Sequence, residues 1–439
     1  MKEQDKMPSG RMVRTGKFVK TGAQLGANYL KAYGKKVLTG NYNQEELDEA
    51  NATDVYKTLS ELKGSALKVA QMLSMDQGVL PQAYSQKFAQ AQYSAPPLSY
   101  PLVIQTFKKS FGKSPLEIFD SFSKSAVAAA SIGQVHLAEK EGQKFAVKIQ
   151  YPGVADSIDA DLKMVKPVVG AMFNITSSEM DHYLGEVRER LLEETDYRLE
   201  LKRSLDISSA FAGNPFLAFP KYYPEFSSER ILTMDWLEGK HMNEFLKTNP
   251  SQEMRDQLGQ ALWDFYDVQI HDRMEVHADP HPGNFMFSGE GKIGVIDFGC
   301  VKSFTPNFYE KYFTIINPNM SGKQDEFEVL LRDLKFILPE DNPTEIKYFM
   351  ALYTQVLEVL CRPFFSESFD FSDPSYFEEI QVLSQKLQKD KILRKAKAAR
   401  GPRDAIYLNR TYFGLYSLLN QLNAKVKTRS RLSQEVMAH

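Results

Sequence analysis

The sequence predicts an α+β protein of two lobes, a small mixed α/β lobe followed by a mainly α-helical one. Three observations predict it. Two apolar runs of strand length flank a turn signal near residue 141, and helical periodicity dominates after residue 250 apart from one segment at 276–302. The length of 439 residues suits one large two-lobed body with an added N-terminal extension.

Composition excludes several classes. At 43% hydrophobic and 12% aromatic, the chain has ample material for a core and is not a disordered protein. The 54 basic and 56 acidic side chains nearly cancel, which excludes a globally basic nucleic-acid binder. Cys300 and Cys361 are too few for a disulfide framework or a cysteine-based zinc site. Charge is nevertheless uneven. Residues 1–40 hold nine basic side chains against Glu3 and Asp5, and residues 386–431 are basic through Lys389, Lys391, Arg394, Lys395, Lys397, Arg400 and Arg403. Such ends can approach an anionic membrane, although a solvated tail is the plainer reading. No run of 18 apolar residues crosses a bilayer as one helix. The N-terminus lacks the apolar core of a secretory signal, and its early acids and scarce serines argue against a transit peptide. The stretch 22–30, between Lys17, Lys20, Lys35 and Lys36, is a candidate interfacial helix within a basic tail at 1–50.

In chain order, a helix is expected over 54–75. Val55, Leu59, Leu62, Ala66, Val69 and Leu73 form its apolar stripe, and Lys68 and Gln71 lie on the opposite side. The proline-rich stretch 94–101 breaks the pattern, and a second helix covers 102–111, closing a helical extension at 51–120. The first lobe, 121–237, carries the runs 131–138 and 144–150 around Glu141-Gly142, a hairpin signature. Helices are expected near 156–173 and as one long amphipathic element at 179–211. A strand at 230–235 leads to Trp236-Leu-Glu-Gly239, a hinge, and the second lobe occupies 238–439. No internal repeat or low-complexity tract is present.

The chemistry concentrates at His277-Ala-Asp-Pro-His-Pro-Gly-Asn284 and at Asp297-Phe-Gly299. Asp279 and Asn284 are separated as in the catalytic loop of kinases, and Asp297 opens the Asp-Phe-Gly that follows. Phosphoryl transfer needs such a set: one carboxylate orients the acceptor, while an amide and a second carboxylate hold Mg2+ on the phosphates. Upstream, Phe145-Ala-Val-Lys148 is similar to the strand whose lysine reaches the nucleotide phosphates. Where a glycine-rich loop would stand, the chain has Ala126-Val-Ala-Ala-Ala-Ser131 and then Gly133. Alanines offer backbone N–H groups but less access to positive φ, so a stiffer phosphate cover is expected.

These residues resemble the UbiB/ABC1 family of atypical protein-kinase-like proteins, over about residues 55–425. The signatures are the alanine-rich 126–131, Val147-Lys-Ile-Gln-Tyr-Pro-Gly153, Glu194-x-Asp196, the two motifs above, and Lys68-Val-Ala-Gln71, where Ala70 replaces the family's glycine. The resemblance implies a kinase-like fold that binds ATP or ADP with Mg2+. It implies ATPase or small-molecule phosphotransfer activity in support of ubiquinone or another isoprenoid quinone, with an isoprenoid or quinone-type lipid, or the enzymes that make it, as partner. Lys148 would contact phosphates and pair with Glu200, Asp279 would be catalytic, and Asn284 and Asp297 would hold the metal. Ala128, Ala129, Ala130, Ser131, Met234 and Asp235 would contact the nucleotide. Lys68 and Gln71 would fold over the site beside Glu194 and Asp196, which argues against protein-kinase activity in trans. The expected location is cytoplasmic or peripheral to a membrane in a bacterium, mitochondrial or plastidic in a eukaryote, and not secreted.

Two alternatives share these residues. The His277 motif is also similar to aminoglycoside and choline-type kinases, and the basic N-terminus suits a nucleotide-gated lipid chaperone without phosphotransfer. His277 and His281 read as orienting the loop rather than binding metal, Cys300 as a small core residue, and the aromatic-rich 407–422 as core packing.

Overall fold

In the computed structural model, residues 44–62, 98–130, 132–172, 177–317, 320, 322–390, 392, 393 and 400–428 are described, with scattered positions between 16 and 35. Lys68, Ala70, Gln71, Ser131 and the 63–75 part of the first expected helix lie outside them. The chain divides into two compact units, residues 1–202 with 221–236 and residues 203–220 with 237–439.

In the first unit, helix α1 (Gln44–Leu62) starts ten residues earlier than periodicity suggests, and it buries Val55 and Leu59. Helical positions of the candidate interfacial segment meet α1 through polar groups, Gln24 with Asp54 and Asn28 with both Asn51 and Asp54, and Thr21 just before it meets Thr58. Helix α2 (Tyr100–Phe111) has a proline in its first turn and ends on Gly112 in the left-handed region. It buries Val103 and Phe107, and Phe107 packs edge-on against Phe119 and Phe122.

The sheet follows. Strands β1 (Ser121–Phe122) and β2 (Ala128–Ala130) both pair with β3 (Gly133–Lys140), and β3 pairs with β4 (Gln143–Gln150). Between β3 and β4, Glu141 and Gly142 both take positive φ, the backbone of the tightest hairpin turn. Within the alanine-rich stretch, Ala128–Ala130 form strand β2, and Ala126 and Val127 precede it outside any strand. Gly133 stands where a β-carbon would overlap the carbonyl oxygen of Ile149, which explains the glycine at the point where β3 leaves the alanines. Strand β5 (Leu217–Ala218) belongs to the second unit, and β6 (Ile231–Asp235) completes this sheet against β4.

Helices α3 (Val154–Met172) and α4 (Ser177–Glu194) pack together, and α5 (Tyr197–Ala210) follows. The single helix expected at 179–211 is thus two. The Asp196 carboxylate accepts from the N–H groups of Arg198 and Leu199 at 3.0 and 3.2 Å, capping α5 and breaking the helix.

A buried polar chain runs through the sheet. The Leu98 N–H donates to Gln134 Oε1 at 2.6 Å, Gln134 Nε2 lies 2.7 Å from His136 Nε2, and His136 Nδ1 lies 2.8 Å from the Ser123 carbonyl. A carbonyl only accepts, so Nδ1 carries the proton and Nε2 accepts from Gln134.

In the second unit, α6 (Met242–Leu246) precedes α7 (Gln252–His271), the buried centre of a large apolar core through Leu262, Phe265 and Tyr266. Strands β7 (Glu275–His277), β8 (Phe285–Phe287), β9 (Ile293–Val295) and β10 (Val301–Ser303) form two short ladders, β7 with β10 and β8 with β9, and β5 adds to β9 in parallel. Helices α8 (Pro306–Ile316), α9 (Gln324–Asp333), α10 (Pro343–Leu360), α11 (Pro374–Lys389) and α12 (Arg403–Leu422) fill the rest. Three of them begin at one sequence signal, Thr305-Pro, Asn342-Pro and Asp373-Pro: the first side chain caps, and the proline fits a position whose N–H has no partner within the helix. One ladder was not anticipated after 302: β11 (Phe369–Asp370) pairs with β12 (Lys425–Val426).

Burial holds the pKa of His136 below the usual 6.5, so the folded protein resists taking the proton that the unfolded chain accepts. Stability should be full above about pH 6.5 and fall as pH drops from there through the lower folded value. Urea midpoints between pH 7.5 and 5.5 should fall for the wild-type protein and fall less for His136→Gln. An identical decline in both would place the titration elsewhere.

Candidate active site

Each unit holds one part of the predicted set. In the first, Lys148 sits in β4 between β3 and β6, opposite Val135 and Leu232. Its Nζ donates to Glu200 Oε1 at 2.7 Å, and both side chains are buried, 8% and 3% exposed. The Tyr197 ring centroid lies 5.2 Å from the same Nζ. Glu200 occupies the first turn of α5, where the helix dipole favours an acid. Two residues along β4 on the same face, Gln150 Nε2 donates to the Thr195 carbonyl at 2.9 Å, at the joint between α4 and α5. One strand face therefore fixes both the acid and the start of its helix.

Glu194, at the end of α4, is buried and faces Arg190 at 3.8 Å, while Asp196 is the α5 cap. The alanine strand presents small side chains, with Ala128 and Ala129 exposed. Met234 is buried in an apolar cluster with Tyr197 and Leu232. Asp235 accepts from Gln143 Nε2 at 2.6 Å and from the Tyr223 hydroxyl at 2.8 Å, and its N–H donates to the Lys221 carbonyl. Both residues stand at the end of β6, where the chain passes into the linker 236–239.

In the second unit the two ladders position the motif residues. The register Phe285↔Val295 and the bond from the Ile296 N–H to the Asn284 carbonyl bring Asn284 and Asp297 to one end of the β8–β9 pair. The register His277↔Val301 and the bond from the Ala278 N–H to the Cys300 carbonyl do the same for Asp279 and Gly299. Asn284 Nδ2 donates to the Asp279 carbonyl at 2.9 Å and approaches its Oδ2 at 3.3 Å. This orients the amide so that Oδ1, a hard oxygen, is the atom it offers a cation. Asp297 Oδ1 accepts from the Gly299 N–H at 2.8 Å. An amide oxygen and a carboxylate suit Mg2+, which usually takes few protein ligands and completes its shell with phosphate oxygens and water. Among the described residues no group of three or more His, Cys, Asp or Glu side chains forms a self-sufficient metal cage.

His277 is fully buried, with its ring against Tyr266, Phe285 and Phe298, and its N–H donates to Gln269 Oε1 at 2.9 Å. Burial lowers its pKa, against the opposing pull of Asp279 and Asp297. His281 Nδ1 accepts from the Gly283 N–H at 3.0 Å and caps the short turn that carries Asn284.

Sequence reasoning missed the floor of this loop. Arg410 in α12 places Nη2 3.2 Å from Asp279 Oδ1. One turn along the same helix, Gly414 lies where a β-carbon would overlap Pro280. Arg410 and Gly414 thus hold consecutive loop residues from one helix face. No local signal could have marked them, since Arg410 follows Asp279 by 131 positions inside a stretch that reads as core.

The sequence pattern of the ABC1 atypical kinase-like domain matches residues 90–328. This chain belongs to that family. Among ABC1 relatives, it is 28% identical to the "Atypical kinase COQ8B, mitochondrial" of Rattus norvegicus, over 97% of this chain and 80% of that one. It is 26% identical to the "Atypical kinase COQ8, mitochondrial" of Saccharomyces cerevisiae, over 99% of this chain and 86% of that one. A solved Mycobacterium tuberculosis protein, in complex with erythromycin, shares the fold with a TM-score of 0.59 and 28% identity, over 89% of this chain and 97% of that one. The α+β, kinase-like architecture of the ABC1 proteins is therefore the fold of this chain. Among the described residues no helix is long and apolar enough to cross a membrane.

Two variants probe the two parts. Glu200→Gln keeps the shape but takes the carboxylate away from the buried Lys148 ammonium, and should cost about 3–5 kcal/mol in urea unfolding. Adding Lys148→Met should recover much of that loss. Gly414→Ala would gain up to about 1 kcal/mol of helix propensity on an open surface. Here the methyl meets Pro280, so the expected result is a net loss of stability, read as a lower thermal midpoint.

Proposed function

We propose that this protein binds ATP or ADP with Mg2+ and acts as an atypical kinase-like ATPase or phosphotransferase on a small molecule or lipid, in support of ubiquinone or another isoprenoid quinone. The observation that carries this reading is the buried Lys148–Glu200 pair at 2.7 Å, in a chain that also orients Asn284 against Asp279. A buried ion pair is weak evidence for stability, because desolvation offsets its attraction. It is good evidence for a lysine held to meet phosphate oxygens. When bound, Mg2+ would neutralise charge on the phosphates, held by Asn284 and Asp297.

Within that reading, Lys148 offers its ammonium to the phosphates while Glu200 fixes its direction. Ala128, Ala129, Ala130 and Ser131 cover the phosphates with backbone rather than bulky side chains. Asp279 positions the attacking group, itself held by Arg410 and Asn284. Met234 and Asp235 are assigned to contact with the nucleotide, at the point where β6 meets the linker that follows. Lys68 and Gln71, with Glu194 and Asp196, are assigned to the family extension that covers the site and disfavours a protein substrate. The relatives named as mitochondrial kinases support an organellar setting.

ATP turnover should fall at least a hundredfold in Asp297→Asn and in Lys148→Arg, with the fold retained by circular dichroism. Unchanged turnover in both would sink the proposal. Labelled ATP distinguishes bare phosphate release from a stoichiometric phosphorylated acceptor. The quinone profile of a deletion strain tests the pathway separately from the chemistry.

A further inference from the structure

The helical part of the second unit holds two adjoining cavities, of about 100 and 240 Å3, which share Ile315, Ile316, Leu357 and Cys361 as walls. They lie among α8, α9, α10 and α12. Well-packed interiors contain few voids larger than a water molecule, and an apolar cavity of about 150 Å3 is large enough to bind benzene. No charged side chain lines the first cavity, so it does not suit a phosphate, a nucleotide or a carboxylate. Its polar content is small. The Tyr312 hydroxyl donates to Asn409 Oδ1, and the buried Tyr412 hydroxyl has no hydrogen-bond partner among the described residues. Cys361, with its thiol pushed up to about 12 by burial, is a neutral wall residue. A buried hydroxyl left unpaired costs stability and calls for an explanation.

We propose that these cavities bind a small, largely apolar ligand carrying one hydrogen-bond acceptor, a carbonyl or ether oxygen, which receives the Tyr412 hydroxyl. A mostly apolar wall with one or two directed polar groups is the usual character of a small-molecule pocket, and the first cavity has it; the second adds room but also carries Glu358 and Arg362 in its wall. The site stands apart from the nucleotide reading and requires neither Lys148 nor Asp279. It does share α12 with the catalytic loop: Asn409 and Tyr412 line the cavity, while Arg410 and Gly414 meet Asp279 and Pro280. A ligand here would press on the helix that supports the loop.

Calorimetric titration of the full chain, without nucleotide, with 2-heptanone and with heptane tests the proposal. Saturable binding at one site is expected, with the ketone preferred about tenfold, the worth of one hydrogen bond. Tyr412→Phe keeps the ring and should abolish that preference while leaving heptane bound. Leu357→Phe, which places a ring in the shared wall, should weaken both ligands at least tenfold. Absence of saturable binding would mean that the cavities hold water alone. A ketone preference that survives Tyr412→Phe, or full binding in Leu357→Phe, would place the ligand elsewhere. Each of these three results overturns the proposal.

Discussion

The placement of one ammonium group organises the first unit. Lys148 is buried, and a buried ammonium is tolerated only with a partner at close range. The partner must come from outside the sheet, because the neighbours of Lys148 on adjacent strands are Val135 and Leu232. Helix α5 supplies Glu200, and the remaining contacts there keep that helix in register. Asp196 starts it, Gln150 grips the Thr195 carbonyl before it, and the Tyr197 N–H donates to the Glu229 carbonyl next to β6. The break between α4 and α5 thus has a purpose: a helix that begins at Tyr197 presents Glu200 in its first turn.

The second unit meets a different constraint. Its reactive groups are on loops, where backbone alone gives little rigidity. Two ladders of three residues each supply it, and each ends where a motif residue is required. Beneath them lie apolar groups, Phe298 against Phe219 and His277 between Tyr266 and Phe285. The buried histidine is thereby part of the packing that supports the Asp279 loop, and its backbone is tied to α7 through Gln269.

What was legible in the sequence was whatever is encoded locally. The Glu141-Gly142 turn, the strand carrying Lys148 and the spacing of Asp279, Asn284 and Asp297 each depend on neighbours in the chain. The break at Asp196 was also local, yet an unbroken amphipathic pattern outweighed the capping signal of a single aspartate. Ala128–Ala130 have weak strand propensity of their own, and the pairing with β3 overrides it. Arg410 and Gly414 were beyond reach for another reason. Their meaning lies in contacts with residues more than a hundred positions away, and in a helix they look like any surface arginine or tolerated glycine.

That distance has a consequence for how the protein is made. A chain growing from its N-terminus has translated Lys148, Glu200, Asp279, Asn284 and Asp297 well before α12 exists. Until residues 403–422 emerge and dock, Asp279 has no guanidinium beside it and Pro280 no helix to rest on. Completion of the loop is in this sense a late event of synthesis, and the ribosome delivers the motif before it delivers the support that gives the motif its shape.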